Sequence, residues 1–185
     1  MKSNNIYINQ TRSWVESVVI EFNLCPFART PSQNNQVRYV VSNATKVKHL
    51  LKDLEDELEL LQKTPIDQIE TTILIHPFVL KNFFDYNDFL DEVDNILEQK
   101  DLVDLFQIAS LHPQYQFADT DFDDAENYTN RSPHPLLHLL REESVDRVLE
   151  TYSNPERIPE RNIRIMEKYG AEHMKNLLEQ CMKED

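Results

Sequence analysis

The chain has 185 residues, enough for one ordinary domain to hide roughly 70% of the surface that its unfolded form would expose. A formal charge of −14 and a pI near 4.8 give it a far field that repels phosphate backbones and anionic bilayers, so neither nucleic acid nor a membrane surface is an expected partner. Gly170 is the only glycine, which excludes the glycine-rich phosphate loops of kinases, P-loop enzymes and dinucleotide-binding proteins.

In chain order, the opening MKSNNIYINQTRSW lacks the apolar stretch of a signal peptide, and no apolar run approaches the roughly 20 residues needed to cross a bilayer. Trp14, Val15, Val18, Val19 and Phe22 recur at helical spacing and predict a first helix from Thr11 to Phe22. Pro26 stops it and leaves Cys25 in the exit turn. Val37 to Val41 is rich in β-formers and predicts the first strand, followed by a long surface helix with its stripe at Val47, Leu50, Leu51, Leu54, Leu58 and Leu61. Ile69 to Ile75 predicts a second strand, Asp85 caps a helix carrying Phe89, Val93, Ile96 and Leu97, and Leu105 to Leu111 predicts a third strand. Pro133 to Leu149, Pro159 to Tyr169 and Ala171 to Met182 read as helices, with Gly170 dividing the last two.

The expectation is one α/β domain over residues 1–185, with a βαβαβ core, a small and partly parallel sheet, an N-terminal helix and C-terminal helices packed on it. With only Cys25 and Cys181, the chain has no disulfide framework, and a reduced, cytoplasmic setting is expected.

The second and third strands both end in His-Pro, at His76-Pro77 and His112-Pro113. Ligands of open parallel sheets bind beyond the carboxyl ends of strands, so these two histidines are candidates for acid/base work; the alternative is that each merely bonds where its strand stops. Asp119, Asp121, Asp123 and Asp124 imitate the start of a calcium loop, but its sixth and twelfth places hold Asp124 and Asn130 where glycine and glutamate are needed.

Asn127, Asn130 and Arg131 follow, suited to gripping a carboxylate or phosphate, with Ser132 expected to cap a helix that starts at Pro133. On that helix His138, Arg141 and Glu142 would share a face, and His134 with His138 would be spaced for zinc but short of ligands, so no metal and no cofactor is assigned. Cys25 is a further catalytic candidate, with Arg29 near enough in sequence to favour its thiolate; a small buried hydrophobe is the competing role.

The segments NLCPFAR, IHPF, LHPQYQF, ENYTNRSPHPLLHLLRE and IPERN together resemble an uncharacterised bacterial family, domain-of-unknown-function family 1415, over nearly the whole chain. The resemblance carries onto Cys25, Pro26, Phe27, His112, Pro113, Asn127, Asn130, Arg131, Ser132, Pro133, His138, Leu139, Leu140, Arg141 and Glu142, whereas His134 stands where the family pattern is commonly aromatic. It implies no particular activity, substrate or cofactor.

Three functional readings stay open at this point. The first is an enzyme for a small polar or anionic metabolite, with His112 as acid/base, His76 or His138 assisting, and Arg131 and Arg141 as anchors. The second is a non-catalytic module in which the NRSP block clamps the structure, and the third is a metal-dependent enzyme. Inward-facing side chains in a pocket favour the enzyme, and guanidiniums saturated by carbonyls favour the clamp.

Overall fold

The computed structural model describes residues 4–150, 152 and 154–183. Helix α1 (Asn4–Trp14) begins earlier than its apolar spacing predicts and passes into a π-helical stretch, Val15–Ile20, whose wider turns recur at functional sites. Leu24 N–H closes this stretch on Val19 O at 2.8 Å, and Asn23 turns the chain through a positive φ of 51°. Then follow α2 (Arg29–Gln33), β1 (Val37–Val41), α3 (Val47–Lys63), β2 (Thr71–Ile75), α4 (Phe83–Gln99) and β3 (Phe106–Leu111). The cap of α4 is Asn82, not Asp85: its Oδ1 accepts from Phe84 N–H at 2.9 Å and Asp85 N–H at 3.3 Å.

The expected helix from Pro133 to Leu149 is corrected. Leu136–Arg141 is a strand, β4, and only Glu142–Leu149 is helical, as α5. Leucine favours helices, and LLHLLR has no clear period of two, so local preference points the wrong way. Tertiary pairing decides instead: β1 and β2 are parallel neighbours, but β2 and β3 are separated by one strand width, and β4 fills that slot antiparallel to both. The order is β1-β2-β4-β3, and a strand paired on both sides and packed on both faces reads as an unbroken apolar run. Pro133 and Pro135, lacking N–H groups, suit the extended approach to β4 better than a helix. Ser132 accordingly caps no helix; its hydroxyl donates to His134 O at 2.7 Å.

Two successive crossovers that step the same way across the sheet place α3 and α4 on one face. There Leu50, Leu54, Leu58 and Leu61 of α3 are wholly buried with Phe89 and Val93 of α4 against Leu74, Leu137 and Leu139. Each such leucine contributes about 1.5–3 kcal/mol of burial. On the opposite face α1, the π-helical stretch, α6 (Ile158–Tyr169) and α7 (Ala171–Cys181) pack Trp14, Val15, Met166 and Met174 against Ile73, Ile75 and Leu136. As predicted, Gly170, at φ 79°, ends α6 and lets the chain turn into α7. Cys25 and Cys181 are both free thiols, and among the described residues no helix is long and apolar enough to cross a membrane.

Candidate functional site

The α1/α6 side of the sheet is only partly covered. What remains is a cleft of about 780 Å³ whose floor is the sheet itself, at Thr71 and Ile73 of β2, Leu136, His138 and Leu140 of β4, and Gln107, Ala109 and Leu111 of β3. Strand alternation explains this set, since every second residue shares a face. Trp14, Val15 and Val19 form one wall, the turn from Cys25 to Pro31 another, and Ser144, Val145 and Val148 of α5 a third, with Ile158 and Asn162 of α6 beside them. A mostly apolar concavity of this size with a few polar groups has the character of a small-molecule site.

His138 is the imidazole on the floor. Its Nε2 lies 2.8 Å from Thr71 Oγ1, and that hydroxyl donates its single proton to Leu139 O at 2.6 Å. Thr71 must therefore accept from His138, which places the ring proton on Nε2 and leaves Nδ1 as a bare acceptor. Among the described residues Nδ1 has no hydrogen-bond partner, and it is not one of the fully enclosed unpaired atoms. Burial of the ring away from water lowers its pKa from 6.5 to about 4, so the imidazole is neutral at physiological pH. Thr71 itself is a residue that sequence reasoning passed over; a hydroxyl inside the otherwise apolar run of β2 was the available signal.

Cys25 lines the same cleft from the turn after the π-helical stretch. Burial raises its thiol to about 11, although the N–H groups of Phe27 and Ala28 bond to the sulfur and favour the thiolate. Arg29 does not assist, because its Nη2 donates to Ile20 O at 3.0 Å. The turn is held from α6 by Asn162 Nδ2 on Leu24 O at 2.8 Å and by Arg161 Nη2 on Asn23 O.

The two His-Pro histidines lie at one sheet edge but outside the cleft. Both are 0% exposed, and β4 holds their strands apart while the Tyr86 ring stacks between them, 5.7 Å from His76 and 5.1 Å from His112. His112 Nδ1 accepts from Gln114 N–H at 3.0 Å, so Nε2 donates to Leu80 O at 3.2 Å; His76 Nδ1 donates to Val79 O at 3.2 Å. Tyr86 Oη donates to Leu136 O at 2.8 Å and accepts from Leu111 N–H at 3.0 Å, tying β4 to β3. Burial holds both histidines below their ordinary pKa, His76 at about 4.

The polar block after β3 is saturated by its own backbone. Arg131, 4% exposed, lies between the rings of Phe122 and Tyr128 at 4.4 and 4.6 Å and donates to Tyr115 O at 3.1 Å and Phe122 O at 2.5 Å. Asn127 accepts from Phe117 N–H at 2.9 Å and donates to Asp121 O at 2.8 Å, closing the acidic loop. Asn130 reaches the cleft but donates to Ser110 O at 3.2 Å. Arg141 meets Leu61 O at 2.6 Å, Thr64 O at 2.7 Å and Ile69 O at 3.1 Å, satisfying carbonyls at and beyond the end of α3. Glu142 accepts from Gln107 at 3.3 Å.

Because β4 is a strand, the expected helical face of His138, Arg141 and Glu142 does not form, nor does a His134/His138 pair: His134 bonds Gln10 Oε1 at 2.7 Å against the Tyr7 ring. Among the described residues no three of His, Cys, Asp and Glu are grouped to hold a metal ion. Thus Cys25, His138 and Asn130 share the cleft, with Arg141 at its margin, while His76, His112, Asn127, Arg131 and Arg29 are engaged elsewhere.

No curated protein and no solved structure matches this chain. One family model does, from residue 6 to residue 176, a span that takes in the Cys25 turn, all four strands and the whole polar block. The chain therefore belongs to the family described as Protein of unknown function (DUF1415).

Proposed function

We propose that the chain is an enzyme that binds a small molecule in the cleft over its sheet and uses His138 Nδ1 as a general base toward it. The observation that carries this reading is the fixed tautomer: Thr71 holds Nε2–H, and the remaining lone pair has no partner among the described residues and belongs to a ring that lines a cavity. Burial keeps the imidazole neutral, so Nδ1 is available to accept a proton at physiological pH, as a weak base with a pKa of about 4. Cys25, in the turn that lines the same cavity, supplies a second reactive group.

Anchoring by Arg131 and Arg141 has less support than the clamp role, since their donors are taken up by backbone carbonyls. The enzyme reading is tested by incubating the protein with a total metabolite extract and following substrate loss by mass spectrometry. The wild type is expected to consume a component that His138→Gln leaves untouched. A variant that consumes the same component at the same rate contradicts the assignment.

A further inference from the structure

The polarity of the cleft defines its ligand. Among the described residues the cations that line it are Arg141 and Arg147. Arg141 is saturated by carbonyls, and Arg147, mostly exposed at the mouth, faces Glu70 at 3.8 Å. No free positive charge meets an anion inside, and the carboxylates on the lining are Asp67, which is exposed to solvent, and Glu70, which faces Arg147, so a carboxylate or an ammonium carried into the apolar interior is left unpaired at a cost. Two further atoms on the lining residues are enclosed and unpaired, Trp14 Nε1 and Ser144 Oγ, each on a side chain more than nine-tenths buried. Being enclosed, these two do not meet a ligand, which leaves His138 Nδ1 as an unpaired acceptor open to the cleft that a neutral O–H or N–H completes.

We infer that the cleft takes an uncharged small molecule with an apolar body, held through an O–H or N–H that it donates to His138 Nδ1. This rests on the proposed use of the cleft and narrows its substrate to a neutral alcohol, phenol or amide-like compound, the polar and not the anionic member of the expected pair of classes.

Trp14 is the single tryptophan of the chain and stands in the cleft wall, so its fluorescence reports occupancy without a label. Four probes of matched length separate the terms: 1-octanol, octyl methyl ether, octanoate and octylammonium, each titrated against the intact protein below its micelle concentration. Octanol is expected to shift Trp14 emission saturably, about fivefold tighter than the ether, the worth of one net hydrogen bond. Octanoate and octylammonium are expected to bind at least about tenfold more weakly than octanol. His138→Gln should bring octanol and ether to equal affinity; if that variant does not fold, the octanol-to-ether ratio of the wild type decides alone.

Octanoate or octylammonium binding as tightly as octanol overturns the neutral ligand class and leaves the cleft-binding reading standing, and equal binding of octanol and ether in the wild type overturns the role given to Nδ1. Silence of Trp14 toward all four probes overturns the ligand class and the cleft-binding reading together.

Discussion

The sheet carries two histidine regions, and they differ in what their polar atoms have to do. At the carboxyl edge of β2 and β3, His76 and His112 flank Tyr86, and the neighbouring block ties down Asn127 and Arg131; there almost every donor has a backbone acceptor. On the open face, His138 has one nitrogen fixed by Thr71 and the other unpaired, above an apolar cavity. Density of polar residues in sequence therefore marks the region that holds the fold together, and the sparse polar residue inside an apolar strand marks the region with unused chemistry. His76 Nε2 is also unpaired but fully enclosed, so the same residue type serves structure or reactivity according to whether its spare nitrogen opens on a cavity.

The largest expected effect that sharpens this contrast is at Arg141. Arg141→Leu removes charge-assisted bonds to Leu61 O and Thr64 O in a buried setting, and hydrogen bonds to charged groups contribute about 1.5–3 kcal/mol each. Urea denaturation is expected to show a loss of about 3 kcal/mol or more. A loss below about 1 kcal/mol breaks the view that this arginine is a structural clamp.

Acid should act on the closed region nearly as strongly. His76 titrates near 6.5 when unfolded and at about 4 when folded, because burial disfavours its charged form. Between those values the unfolded chain binds protons that the folded chain does not, so stability present above pH 6.5 is lost as pH falls toward 4. His76 accounts for about 3 kcal/mol of that loss at most, and burial of His112 and His138 adds in the same direction. His76→Leu is expected to flatten the pH dependence of urea midpoints across this window. An unchanged slope means that His76 is protonated in the native state and the contrast between the two regions fails.

A smaller change is expected at Arg131. Lysine keeps the charge but cannot donate to Tyr115 O and Phe122 O from one plane between two rings, so Arg131→Lys should cost about 1.5 kcal/mol and leave the Trp14 response to octanol intact. Loss of the octanol response with stability preserved would place ligand chemistry in the block after all. Smallest of all in stability is the effect at Cys25, where Cys25→Ala in a half-buried turn should cost under about 1 kcal/mol. Its thiol, raised to about 11, is expected to react slowly with iodoacetamide at pH 7 and more slowly still with octanol bound. Fast alkylation indifferent to octanol would remove Cys25 from the cleft chemistry.

Most of the scaffold is legible in the sequence because its periods are clean. The α3 stripe, the β-rich runs of β1 to β3 and the lone Gly170 each name their element within a residue or two. The fourth strand is not legible: LLHLLR is apolar on both faces, so no period separates a doubly buried strand from a helix, and only the slot left between β2 and β3 decides. That single misreading moves the site. With a helix at 133–149, His138 joins Arg141 and Glu142 on a surface; with a strand, alternation turns His138 to the cleft and Arg141 toward the end of α3. His76 and His112 are correctly placed at one edge by the crossover order, but their burial under Tyr86 depends on α4 packing that no local pattern encodes.

His138 stands neutral in the cleft with its proton on Nε2 and its Nδ1 bare. Long-range proton–nitrogen correlation NMR on protein labelled with ¹⁵N at histidine reads this directly, with His138→Gln assigning the signal. The expected spectrum has one protonated nitrogen at Nε2 and one unprotonated nitrogen at Nδ1 at pH 7, unchanged down to about pH 5, with the Nδ1 resonance moving when octanol is added. A proton on Nδ1, or an imidazolium at neutral pH, would contradict it.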